Sequence, residues 1–240
     1  MNGVVVAEVV RRCVTSIAYG AFVALVAIIS LGVSRFNQPG AAWPSLVTLL
    51  AFIIGCTSIG PEFSSGTLQL ILTKPVNRSV YLLSRVAGAV SAVWIATLVA
   101  FSMEIIGRAM WGDAAGLDLV LAALIHSMAD TVLICALLAL LGSFTRAYFN
   151  IAIYMVLMIG LSVSQGVVAL MRASRGWMGE WLRTHDVLDR SIAVVSQNLF
   201  PDAPRQLNWE WLLMVLSNAA IALVAACFIF RRREVPYGAD

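Results

Sequence analysis

The chain has 240 residues, 60% of them hydrophobic and 12% charged, with a mean hydropathy of +0.89 and a net charge of +3. That is too few charges to coat a water-soluble surface, so a soluble globular domain is excluded and lipid must be the solvent. No alternating barrel pattern is present, and backbone groups in hydrocarbon must be satisfied internally, so the expected fold class is an all-α polytopic membrane protein.

In chain order, residues 1–13 are expected to form an interfacial N-terminal helix. Glu8, Arg11, Arg12 and Thr15 share one face, with Val5, Val6, Val9 and Val10 on the other. A plain extension of the first span is the equal alternative. Apolar residues precede the charges and no small-residue cleavage site follows, so this segment is not expected to be a cleaved signal peptide.

Spanning the hydrocarbon takes about 20 apolar residues in a helix. Six runs are near that length: Thr15 to Val33, Trp43 to Ile59, Val86 to Gly107, Leu119 to Leu141, Ala147 to Leu170 and Trp211 to Phe230. With the N-terminus in the cytoplasm, nine basic residues lie inside, against Arg35 and Arg108 in the short outer loops. The positive-inside rule then puts both termini in the cytoplasm, although counting the long loop raises the outer total to seven. Trp43, Trp111, Trp177, Trp181, Trp209 and Trp211 fall at the expected outer boundaries, where indole rings favour the headgroup level, and only Trp94 lies inside a span.

Between spans two and three the sequence breaks its own pattern. Gly60-Pro61 stops the second span, because proline has no N–H and clashes with the preceding turn. Ser64, Ser65 or Thr67 can cap a short helix through Thr73, too short to cross, with Leu68, Ile71 and Leu72 on one stripe. Lys74-Pro75 ends it, and Asn77 or Ser79 can cap the helix that rises through Arg85. A loop that merely joins two spans needs no such break, helix and break, so the 61–79 region reads as a docking surface.

At these residues the chain resembles the integral-membrane subunits of type-2 ABC transporters, the six-helix ABC-2 permeases that pair with a separate ATPase. The pattern E-x-x-x-G-T-L-x-L-L-L-x-x-P-x-x-R is met by Glu62, Gly66, Thr67, Leu68, Leu70, Ile71, Leu72, Pro75 and Arg78, with Ile71 a conservative variant. Arg85 stands where the family usually has lysine, and Phe63, Ser64 and Ser65 stand where many relatives place charges. The resemblance implies a cytoplasmic coupling helix, with Lys74 among its contacts, that docks on an ATP-binding subunit. It further implies two copies of that subunit, a second permease copy or a homologous permease, and export from a bacterial-type inner membrane. ATP and Mg2+ would be bound by the partner, with no cofactor in this chain; consistent with that, no G-x-x-x-x-G-K-[ST] loop occurs in the sequence.

Small residues recur every fourth position at Gly88, Ala92, Ala96 and Ala100, and at Ala51 and Gly55, marking faces that pack on helices and not on lipid. Ionisable residues also lie within or near spans. Asp130 is close to the centre of the fourth, with His126 one turn earlier on the same face; their use as a substrate or proton contact is weighed against a neutral Asp130 hydrogen-bonded to Ser91, Thr97 or Asn150. Glu104 and Arg108, four apart, are expected to form an interfacial ion pair.

Residues 171–208 mix charges with an apolar stretch from Val187 to Phe200 that Pro201 and Pro204 end, fitting short extracellular helices. Cys13, Cys56, Cys135 and Cys227 lack metal-site or redox spacing and read as packing residues. Arg231 to Arg233 directly follow a span, which points to anionic lipid and not to nucleic acid. One ABC-2 type transmembrane domain, 1–240, is therefore expected, a transport subunit and not an enzyme. The competing class, an ion-coupled secondary transporter using Asp130 and His126, lacks the expected inverted repeat and paired broken spans.

Overall fold

A computed structural model describes residues 2–34, 39–40, 43–57, 77–111, 116–145, 149–173, 180 and 187–232. The described elements are α-helices: α1 (Gly3–Val14), α2 (Ile17–Val33), α3 (Pro44–Cys56), α4 (Arg78–Trp111), α5 (Leu117–Phe144), α6 (Phe149–Ala173), α7 (Val187–Leu199) and α8 (Trp209–Arg232). Four of them, α4, α5, α6 and α8, are long and apolar enough to cross a membrane, and α1 with α2 adds a fifth if that pair, bent by 71°, is one span. The run expected as a second span is a 13-residue helix, α3, about 20 Å long at 1.5 Å per residue and short of a hydrocarbon core of about 30 Å. Thus four or five crossings, not six, are displayed by the described residues.

The chain divides into two compact units, residues 1–150 with 203–240, and residues 151–202. In the first, α4 and α5 are central: α1 and α2 pack on α4, α3 packs on both, and α8 lies mainly on α5. The small-residue faces make this possible. A side chain at Gly88 would collide with Val9 of α1, and one at Gly55 with Leu138 of α5, while Ala51, Ala92, Ala96 and Ala100 are fully buried. These contacts lie within one subunit. Tyr19 of α2 adds a polar tie, its hydroxyl donating to the Ala92 carbonyl at 2.7 Å.

The bend between α1 and α2 falls where Thr15 turns its hydroxyl back onto the Arg11 carbonyl (2.8 Å) and Ser16 takes an extended backbone. On α1 the charged side faces out, with an exposed Glu8–Arg11 pair at 2.9 Å, and Val9 faces in. α4 begins at Arg78, where the Asn77 side chain accepts from the Ser79 N–H at 3.1 Å, and runs for 34 residues, about 51 Å. It therefore outruns a bilayer core at one end or both.

On α5 the apolar character runs around the whole circumference, the mark of a buried helix. Its Ala129, Leu133 and Ala136 interdigitate with Trp211, Leu212, Val215, Ala219 and Ala222 of α8, whose start is capped by the Asn208 side chain, accepting from the Glu210 N–H at 2.9 Å. The second unit holds most of α6 and all of α7. Tyr154 meets Phe200 edge to face at 5.2 Å between ring centres, and Ile192 is half-buried while Val194 and Val195 are exposed.

Candidate functional site

Of the residues expected to couple to an ATPase, Glu62, Gly66, Thr67, Leu68, Leu70, Leu72, Lys74 and Pro75 lie outside the described residues; Arg78 is the half-buried first residue of α4. The ionisable candidates are all described. They divide into two places along the first unit.

The first place is the end of the unit where α4 finishes and α5 begins. Glu104 and Arg108 are 3% and 2% exposed, paired at 2.9 Å one helical turn apart. The ion pair that the four-residue spacing suggests is present, and it is buried inside the unit. Burying two charges is costly unless the remaining hydrogen-bonding capacity is filled. Here the Glu104 carboxylate also accepts from the Trp43 indole N–H and from the Gly40 backbone N–H at 2.9 Å, while Arg108 Nε adds a second contact at 3.0 Å. Trp43 is thereby drawn wholly out of contact with solvent, and Trp211 is likewise buried, whereas Trp111 and Trp209 remain exposed. Trp43 is held by the buried Glu104 carboxylate and Trp211 by the face of α5. Trp94 donates to the Met128 carbonyl at 3.1 Å, joining α4 to α5.

Two glycines lock this end. Gly40 has φ +69° and Gly116 φ +85°, backbone shapes that L side chains rarely adopt, and a Cβ at either would collide, with Ala123 at Gly40 and with Pro39 at Gly116. The Pro39-Gly40 turn is pressed against α5 as a result, which puts the Gly40 N–H on Glu104. Neither glycine nor Trp43 was legible as part of a polar site, because the signal is a contact between chain segments more than sixty residues apart.

The second place is on α5. Asp130 accepts from the Thr48 hydroxyl of α3 at 3.0 Å. The sequence points instead to Ser91, Thr97 and Asn150, but Ser91 and Thr97 bond back to the carbonyls of their own helix at 2.8 and 2.9 Å, and Asn150 donates to the Cys56 carbonyl at 3.1 Å. Serine and threonine in apolar helices satisfy themselves this way, which takes them out of the pool of partners. His126 sits one turn before Asp130 but turns to α8, its ring edge to face with Trp211 at 4.7 Å. The two residues therefore have separate neighbours, and His126 is 1% exposed with neither ring nitrogen hydrogen-bonded. Among the described residues no cluster of three or more histidine, cysteine or acidic side chains is arranged to hold a metal, and the four cysteines are free.

Several long apolar helices wrapped around a centre of small and self-satisfied polar residues define a multi-pass α-helical membrane protein. Comparison with known families then places it: residues 43–235 match the ABC-2 family transporter proteins, and the chain belongs to that family. No curated protein matches the chain. The match runs from Trp43 through the capped start of α4 to just beyond α8, so it takes in Thr48, Glu104, Arg108, His126 and Asp130.

Proposed function

We propose that this chain is the transmembrane permease subunit of an ABC exporter, driven by ATP hydrolysis on a separate cytoplasmic subunit. The family match over residues 43–235 carries the reading. The docking surface is the coupling helix in the 61–79 region, with Glu62, Gly66, Thr67, Leu68, Leu70, Leu72, Lys74, Pro75 and Arg78 as its contacts. In this reading both termini are cytoplasmic, and α3 with the residues after it completes the second of six crossings. Two permeases, two copies or a copy with a homologue, assemble with two ATP-binding subunits in a bacterial-type inner membrane. α4 is the mechanical link: one unbroken helix from the coupling segment to the buried Glu104–Arg108 pair, stiff enough to carry a displacement of its capped start to the opposite end.

Asp130 and His126 support this over a proton relay. A relay needs neighbouring groups that exchange a proton along a chain, whereas Thr48 engages the one and Trp211 the other. The test is co-purification: the chain retains a Walker-A ATPase from its native membrane, and Glu62→Ala or Leu68→Asp releases it without loss of folded permease. Retention in both variants, or failure of the wild type to recover any such ATPase, overturns the proposal.

A further inference from the structure

Beside the Glu104 network the first unit holds a cavity of about 620 Å3. Its walls are Pro44 and Ser45 at the start of α3, Ala123, His126 and Ser127 of α5, and the segment Ala203 to Arg205 that leads into α8. The volume falls in the range of about 300–1,000 Å3 typical of small-molecule sites and is several times that of a bare inorganic anion.

Three features of this cavity favour negative charge. α3 presents its N-terminus there, the positive end of the helix dipole, and that terminus is uncapped: Pro44 has no N–H, and the Trp43 side chain, committed to Glu104, makes no capping bond. His126 is buried, lines the cavity, and has neither ring nitrogen in a hydrogen bond of good geometry; the Pro204 backbone carbonyl is its nearest acceptor but is not aligned to satisfy it. A buried polar group left in that state costs about 1–3 kcal/mol, so a native protein that keeps one calls for a partner. Arg205 at the rim is exposed and has no ion pair among the described residues. The remaining wall, Leu119, Ala123 and Pro39, is apolar.

We propose that this cavity binds the anionic headgroup, phosphate or carboxylate, of an amphiphile. The uncapped amides of α3 and the His126 imidazole hold the anion, Arg205 neutralises it at the rim, and the apolar wall carries the start of the chain. A donor set with no carboxylate of its own in the lining rejects cations, and an apolar wall next to a charged mouth suits an amphiphile better than a free ion. As a site for cargo the assignment rests on the permease reading; as a binding site it stands on these residues alone.

The experiment uses the full chain in neutral dodecyl maltoside, titrated with dodecyl phosphate and followed by Trp fluorescence, since Trp211 packs on His126. Saturable binding is expected, weakened at least about tenfold in Arg205→Gln and in His126→Phe, with inorganic phosphate binding far more weakly than dodecyl phosphate. Arg205 is exposed, so its variant stays folded and keeps the test decisive even if His126→Phe does not fold. Competition by phosphatidylglycerol assigns the site to a membrane lipid, and lack of competition assigns it to a free amphiphile; both outcomes uphold the proposal. No saturable binding by the wild type, or equal affinity in Arg205→Gln, overturns it. Because no ATPase is present, this failure is separate from failure of the co-purification.

Discussion

Helices α5 and α6 are nearly indistinguishable by hydropathy, at 2.1 and 2.0 over their most apolar windows, yet 61% of the first window is buried and only 11% of the second. Hydropathy reports that both leave water; it is silent on whether protein or lipid replaces it. What separates them is the small and polar residues. On α5, Ala122, Ala129, Ala136 and Ala139 let α3, α4 and α8 approach, and His126, Ser127, Asp130 and Thr131 turn toward those neighbours or back onto their own helix. On α6, Gly160 and Gly166 meet nothing, Ser162 bonds back to the Met158 carbonyl at 2.9 Å, and Val156, Ile159, Val163 and Leu170 are exposed. A membrane helix is thus fixed in a bundle by what it lacks in bulk and holds in hydrogen bonds, since apolar side chains alone gain as much from lipid as from protein.

The comparison is broken most easily at the buried ion pair. Arg108→Ala leaves the Glu104 carboxylate without its counter-charge inside the packed unit and lowers stability by about 3–5 kcal/mol, whereas replacing both residues by apolar ones of similar volume recovers most of that loss. Chemical unfolding in detergent measures it, and a single variant of wild-type stability would refute the network. Next come the glycines. Gly55→Leu and Gly88→Leu overpack contacts with Leu138 and Val9 and cost about 1–3 kcal/mol, while Gly160→Leu on α6 is tolerated in the isolated subunit. Equal damage at Gly160 would show that protein covers α6. The smallest effect is at Thr48: Thr48→Val removes the donor to Asp130 and costs about 0.5–1.5 kcal/mol, and replacing Asp130 as well by an apolar residue of similar size, Asp130→Leu, recovers most of that loss in the double variant.

Much of the architecture was legible before any coordinates. The all-helical class follows from the hydropathy runs, the packed faces of α3 and α4 from the four-residue spacing of Gly and Ala, the cap at Asn77 from its place after Lys74-Pro75, and the Glu104–Arg108 contact from their one-turn separation. What escaped is non-local. The burial of Trp43 needs a carboxylate brought from α4, the Thr48 partner of Asp130 needs α3 laid against α5, and the cavity needs residues from four separate stretches of chain. Sequence spacing speaks for one helix at a time, and these features exist only between helices.

The decisive measurement is flux in proteoliposomes holding this chain with and without the ATP-binding subunit it co-purifies with, loaded with dodecyl phosphate as the trial amphiphile. An ATP-driven permease moves the probe only when both the partner and ATP are present, and continues to do so with Asp130→Asn. Flux from this chain alone, driven by a proton gradient and abolished by Asp130→Asn, would contradict that account and establish an ion-coupled carrier in its place.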